Sequence, residues 1–176
     1  YILSPTIQPT CIWSAKSLVG DVKIPYGVTI LQDSILPNVV THELGHAIGL
    51  GHTNLMSCPA SPDGDWPTCK NVEYAGAIDI MSNLDMQGPL NIYDKWRLGI
   101  VSPNDIASIQ GSGVYQLYPT GTPGQTQGIY IHDNKAVYWI EYRPASDSYA
   151  AGLAIYRSDT PTKGVNIVSP NVEYTG

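Results

Sequence analysis

Residues 40–52 read VTHELGHAIGLGH, which sets three histidines and a glutamate at fixed intervals. The whole chain of 176 residues holds only four histidines. His42 and His46 are four apart, so on a helix they lie about one turn apart on one face, and both imidazoles reach the same ion. Glu43 projects about 100° further round the helix, which suits contact with a water on that ion better than coordination. Gly49 stands one turn after His46, where a glycine takes the left-handed conformation and ends a helix sharply. The chain then turns back and brings His52 under the same ion. Three neutral imidazoles suit one Zn2+ with a fourth position left to water. Histidines merely satisfied by their neighbours would not need all five residues in register, and a structural zinc site would not need Glu43.

This string demands a helix, and the flanking residues supply one. The apolar run from Ile35 to Leu50 reads as a largely buried helix of about four turns. Asp33 or Ser34 is the expected cap, with Pro37 tolerated in the first turn. Ahead of it YGVTILQ reads as a strand. Residues 53 to 80 read as irregular. PLNIYDKWRLG restores a helical pattern through Leu90, Tyr93, Trp96, Arg97 and Leu98, ended by Gly99. After Ser102 the character changes. GVYQLYP, QGIYIHD, AVYWIEYR and GLAIYRS read as short strands, with HDNK as a hairpin turn. A division near residue 102 follows: 1–101 as the catalytic region and 102–176 as a β-rich subdomain or appended domain.

Composition narrows the function. A net charge of −6 argues against nucleic acid, because phosphate contacts need clustered Lys and Arg. No apolar run approaches the ~20 residues of a membrane helix. The first residue is Tyr1 rather than Met, which reads as a processed chain or an excised piece. The 14 Pro, 17 Gly and 12 Tyr, with no Phe, lean towards a secreted protein. Cys58 and Cys69 bracket the turn-rich PASPDGDWPT. A disulfide between them would close a short loop and stabilise the fold by roughly 2–4 kcal/mol. Cys11 is left over, as a free thiol or with a partner outside this chain. Asp63 and Asp65 in the same loop hint at Ca2+, without the twelve-residue loop or closing Glu of an EF-hand. His132 reads as exposed. Glu141 and Arg143 read as a cross-strand ion pair, worth little if exposed. Tyr138, Trp139 and Tyr142 read as a sheet face.

The string HExxHxxGxxH matches the signature of the metzincin metallopeptidases. The order CIW, HELGHAIGLGH, DIMS and LNIYDKWRLGI resembles the gametolysin type over roughly residues 11 to 101. Immune-inhibitor-like and snapalysin-like secreted bacterial peptidases are similar too. The resemblance implies an α+β, zincin-like (metzincin) catalytic domain with an active-site helix and Met-turn, followed by a β-rich C-terminal region. It makes Met81 in GAIDIMSN the Met-turn residue that packs under the histidines, with Met86 as second candidate. Some metzincins carry a zinc-approaching tyrosine two residues after this methionine; here that position is Asn83. Only 41 residues precede His42, where metzincins carry a larger sheet and a backing helix. The resemblance therefore implies a trimmed or reduced upper subdomain.

The expectation is a secreted, monomeric zinc endopeptidase acting on protein or peptide. It would hydrolyse through a zinc-bound water, with Glu43 as general base and acid. The strand around Val28 to Leu31 would hold an extended substrate by strand addition. Two alternatives use the same residues: a binding or adhesion module that keeps a structural zinc, and a zinc amidase on a non-peptide substrate.

Overall fold

Pro37 decides where the first helix begins in the computed structural model of the protein. The structure describes residues 2–4, 15–18, 20, 27–32, 36–57, 69–83, 88–132, 137–146, 150–158 and 165–168. Helix α1 spans Pro37–Ala47, with Pro37 at its first position and Leu36 as the cap. Neither Asp33 nor Ser34 is the cap, contrary to expectation. The residue before a proline is pushed out of the helical region, and Leu36 accordingly has ψ 130°. Gly49, at φ 97°, stops the helix as expected. Its amide bonds to the carbonyl of His46 at 2.9 Å, and the amide of Leu50 bonds to the carbonyl of Gly45 at 2.9 Å. Those two bonds are the Schellman pattern.

The described chain is mixed α+β. Strands β1 (Ile2–Ser4), β2 (Ala15–Ser17) and β3 (Thr29–Gln32) form a three-stranded sheet in the order β1-β3-β2. The expected strand before α1 is therefore present as β3, but it is central. It pairs parallel with β1 and antiparallel with β2. At Ile30 and Leu31 its backbone is paired on both sides, which leaves no free edge for a substrate strand at those two residues. Among the described residues the unpaired edges of this sheet belong to β1 and β2.

The second sheet has seven strands in the order β5-β4-β10-β9-β8-β7-β6. They are β4 (Thr53–Ser57), β5 (Lys70–Val72), β6 (Ile106–Ile109), β7 (Gly128–His132), β8 (Val137–Arg143), β9 (Gly152–Ser158) and β10 (Val165–Val168). Three of the expected strands are β7, β8 and β9, with β8 antiparallel to both of its neighbours. The HDNK turn lies mostly outside the described residues. GVYQLYP is not a strand: it is irregular and largely exposed, with Val114 fully open to solvent. The strand beside β7 is β6 instead, and GVYQLYP is tied down through the Tyr118 amide, which donates to the carbonyl of Thr126 at 2.8 Å. The region 53–80 is not wholly irregular either. TNLMS forms β4 by pairing parallel with β10, a partner more than a hundred residues away. The sheet thus draws strands from both sides of residue 102.

Helix α2, Ile92–Arg97, starts at Asn91, whose side chain accepts the amide of Asp94 at 2.9 Å. Ile92 and Tyr93 then pack with Val101, Trp139, Ala154 and Tyr156 into the main apolar cluster. Alternation along β8 sends Trp139, Glu141 and Arg143 to one buried face. Glu141 and Arg143 are therefore neither cross-strand nor exposed. Their side chains are 1% and 5% accessible, with Nε to Oε1 at 2.7 Å. Tyr156 donates its hydroxyl to the same Oε1 at 2.6 Å. Arg143 then reaches across the layer and donates to the carbonyls of Ile78 and Pro89. The sheet thereby holds both flanks of the loop that contains Met81.

Removing one partner of a buried, hydrogen-bonded pair leaves the other charge uncompensated, which costs about 3–5 kcal/mol. Arg143→Ala should lower the unfolding free energy by about that amount in a urea titration. A loss below about 1 kcal/mol would show that the pair does not brace the loop.

Asp79, Asn91 and Asp94 are all fully buried. The Asn91 amide group serves Asp79 Oδ2 at 2.9 Å and Asp94 Oδ2 at 2.8 Å. Burial, and next the charge of Asp79, pushes the Asp94 carboxyl up to about 7. A carboxyl whose pKa is raised on folding binds more protons folded than unfolded, so stability falls as pH rises from about 4 to 7. Asp94→Asn keeps an acceptor for Asn91 and cannot ionise. Its melting temperature relative to the parent should therefore climb across that window and level off above it. A constant difference between pH 4 and 8 would contradict this assignment.

Candidate metal centre

The Schellman turn that ends α1 also builds the site. It presents the carbonyl of Leu50 to His46 Nδ1 at 2.8 Å. The carbonyl of Ile80, next to Met81, meets His42 Nδ1 at 2.7 Å. A carbonyl only accepts, so both rings carry their proton on Nδ1, and their Nε2 atoms are bare lone pairs when neutral. His52, just ahead of β4, has its Nδ1 at 2.9 Å from Glu73 Oε1. All three Nε2 atoms converge: His46 lies 3.1 Å from His42 and 3.0 Å from His52.

Two bare nitrogens at such distances repel, and a cation between them reverses the sign. Burial, joined by the charges of His46 and His52, pushes His42 down to about 4 despite the Ile80 carbonyl, so its ring is neutral at pH 7. Burial and then His46 also lower His52, against the pull of Glu73. Three nitrogens held at 2.0–2.1 Å round one tetrahedral ion lie about 3.3–3.4 Å apart. The observed spacing comes within a few tenths of an ångström of that. His42, His46 and His52 therefore fit a metal ion, and they are the one such group among the described residues.

Glu43 is 6% exposed, beside the tripod on α1, and its Oε2 is buried without a hydrogen-bond partner. Its backbone is well held: Ser17 Oγ donates to its carbonyl at 3.0 Å, and Ser17 in turn meets Thr29 Oγ1 at 2.6 Å. Met81 is fully buried against Leu50 and Ile80. A Cβ built on Gly45 would collide with Met81 Sδ, so Gly45 lets the methionine lie directly against the helix between His42 and His46. Met81 is itself fixed by Asp79 Oδ1 at its amide and by the amide of Thr53 at its carbonyl. Met86, Asp63, Asp65, Cys11 and Cys58 lie outside the described residues. Cys69 is disulfide-bonded, immediately before β5. His132, at the end of β7, is exposed and stands apart from the site.

Two residues of the site went unread in the sequence: Glu73 and Tyr74. Both lie on the turn after β5. That turn is tied to β4 through the Tyr74 amide, which donates to Asn54 Oδ1 at 3.1 Å. The Tyr74 ring packs on His52, with centroids 4.1 Å apart, and 6.2 Å from His42. Burial, then the charges of Glu73 and Glu43, raise its hydroxyl pKa, which keeps the phenol protonated. The one signal available was an acid and an aromatic set in a run of small residues, EYAGA, with no periodicity to explain them.

The chain matches no protein-family model, no curated protein and no solved structure.

Second partners of metal-binding histidines typically contribute 10- to 100-fold to affinity. The Glu73 side chain is 66% exposed, so water replaces much of what it offers. Glu73→Ala should weaken Zn2+ binding about tenfold, at the low end of that range, in a competition titration against a chromophoric chelator. Unchanged affinity would mean that His52 is oriented without Glu73.

Proposed function

We propose that the protein is a secreted zinc-dependent endopeptidase, with His42, His46 and His52 as ligands of one Zn2+ and Glu43 as general base and acid. One observation carries the reading: nitrogens of three histidines converge on one point, and Glu43, next to His42 on α1, is buried with one carboxylate oxygen unpartnered. The resemblance of HExxHxxGxxH to the metzincin signature supports it. When bound, Zn2+ lowers the pKa of a water towards about 7 and polarises a carbonyl oxygen.

The chain's own residues supply the proton transfers. Glu43 Oε2 accepts a proton from water as the oxygen attacks the scissile carbonyl carbon. The C–N bond then breaks, and the same carboxyl returns the proton to the leaving nitrogen, giving an acid and an amine. Ser17 and Thr29 fix the backbone of Glu43 and so limit where the carboxylate can sit. An open cavity of about 410 Å³, lined by Pro37, Asn38, Thr41, Ile80, Gly88, Pro89 and Leu90, shares α1 and Ile80 with the tripod. Its largely apolar wall suits a substrate side chain. A buried carboxylate oxygen without a partner costs folding free energy. A binding module with a purely structural zinc has no use for it, which favours the enzyme. The disulfide at Cys69 supports an oxidising compartment, and Cys58 is its proposed partner.

Glu43→Ala should keep Zn2+ and lose hydrolysis by about 10²- to 10⁴-fold, the usual worth of a general base. His42→Ala should lose both. Zinc content and cleavage of a denatured protein are measured side by side. Full activity in Glu43→Ala would place the base elsewhere and end this mechanism.

A further inference from the structure

Tyr74 has a backbone that packing alone does not explain. Its φ is 62°, in the left-handed region, which a bulky aromatic residue rarely enters. Such strain persists only where the surroundings impose it, and it gathers at functional sites. Here the surroundings are specific. Asn54, two residues after His52, holds the Tyr74 amide, and Gly76 lies so close to Thr53 that a Cβ would meet its carbonyl oxygen at 2.6 Å. The turn is thus pinned along the strand that leaves His52. The strained φ does not serve the core, because Tyr74 is 42% exposed. It lays the ring on His52, with centroids 4.1 Å apart, and 6.2 Å from that of His42.

We propose that Tyr74 is a further catalytic residue, whose hydroxyl donates a hydrogen bond to the oxygen of the scissile carbonyl beside the histidine tripod. Glu43 works on the proton of the attacking water. Negative charge meanwhile builds on the carbonyl oxygen, and a neutral donor there stabilises it without competing for the proton. The phenol proton stays on Tyr74 throughout. The strained turn holds this donor in place before substrate arrives, so no reorganisation is needed during the reaction. This inference rests on the peptidase reading above.

Tyr74→Phe keeps the ring on His52 and removes only the donor. Zinc-loaded parent and variant are compared on denatured casein, with zinc content measured for each. Loss of one such donor typically costs 10²- to 10³-fold in kcat. The expected result is a fall of that order, with KM and zinc content within about twofold. Unchanged kcat, or a change in KM alone, overturns the proposal. A second arm needs no turnover: acetohydroxamate is titrated into Co2+-loaded protein and followed by visible absorption. Binding about tenfold weaker in Tyr74→Phe supports a hydroxyl that faces the fourth coordination position; equal binding overturns it. If the parent cleaves nothing while the second arm shows the tenfold loss, the peptidase reading fails and the placement of Tyr74 stands.

Discussion

Two backbone carbonyls, those of Ile80 and Leu50, govern what the histidines can do. Each accepts a hydrogen bond from the Nδ1–H of one ring and so leaves a bare lone pair on Nε2. Side chains could have supplied the same acceptors, but a side chain rotates and a backbone carbonyl in a fixed turn does not. With the tautomers locked, the neutral nitrogens near 3 Å apart form an electrostatic conflict that a bound cation would relieve. The conflict needs both carbonyls in position, and each comes from a different source. Leu50 arrives through the glycine stop of α1, a local device. Ile80 arrives from a loop whose own short-range bonds run through Asp79, and Asp79 is held by residues far along the chain.

The rest of the fold supplies what that loop lacks. Asp79 grips Met81 at its amide, Thr53 on β4 grips both Asp79 and the Met81 carbonyl, and Asn91 joins Asp79 to the start of α2. Arg143 then ties the carbonyls of Ile78 and Pro89 to β8. These are buried polar contacts, each weak in net terms and costly to leave unmade. They couple the sheet to the tripod, so the β-rich stretch after residue 102 acts as a support for the site. Parallel pairing of β4 with β10 makes the same connection through the backbone.

This also accounts for what could and could not be read in the sequence. The ligand string, Gly49, α2 and strands β7 to β9 rest on spacing and short-range pattern, and those are visible in one dimension. Met81 came from a resemblance, and its burial against Gly45 gives that placement a steric basis. What stayed hidden depends on distant partners. TNLMS has little strand character until β10 lies beside it. Asp79, Asn91 and Asp94 look like ordinary turn and cap residues until their shared burial turns them into a network. Glu141 and Arg143 look like surface charges because alternation shows which residues share a face, not which face is inside. The strand before α1 was legible as a strand, but its central place in the sheet was not.

The tripod ends up with one rigid side and one lighter side. His42 and His46 lie on a helix, back onto buried carbonyls and sit over Met81. His52 backs onto Glu73, a largely exposed carboxylate on a turn, and is covered by the half-exposed Tyr74. Segments that admit ligands tend to be the less densely packed ones. The turn carrying Glu73 and Tyr74 has that character, yet its backbone is strained and tied to Asn54 and Thr53. Light packing with tight backbone control suits the substrate-facing role proposed for this turn. The asymmetry follows from connectivity. His42 and His46 inherit the rigidity of α1, whereas the surroundings of His52 come from a turn between a short edge strand and the Met81 loop.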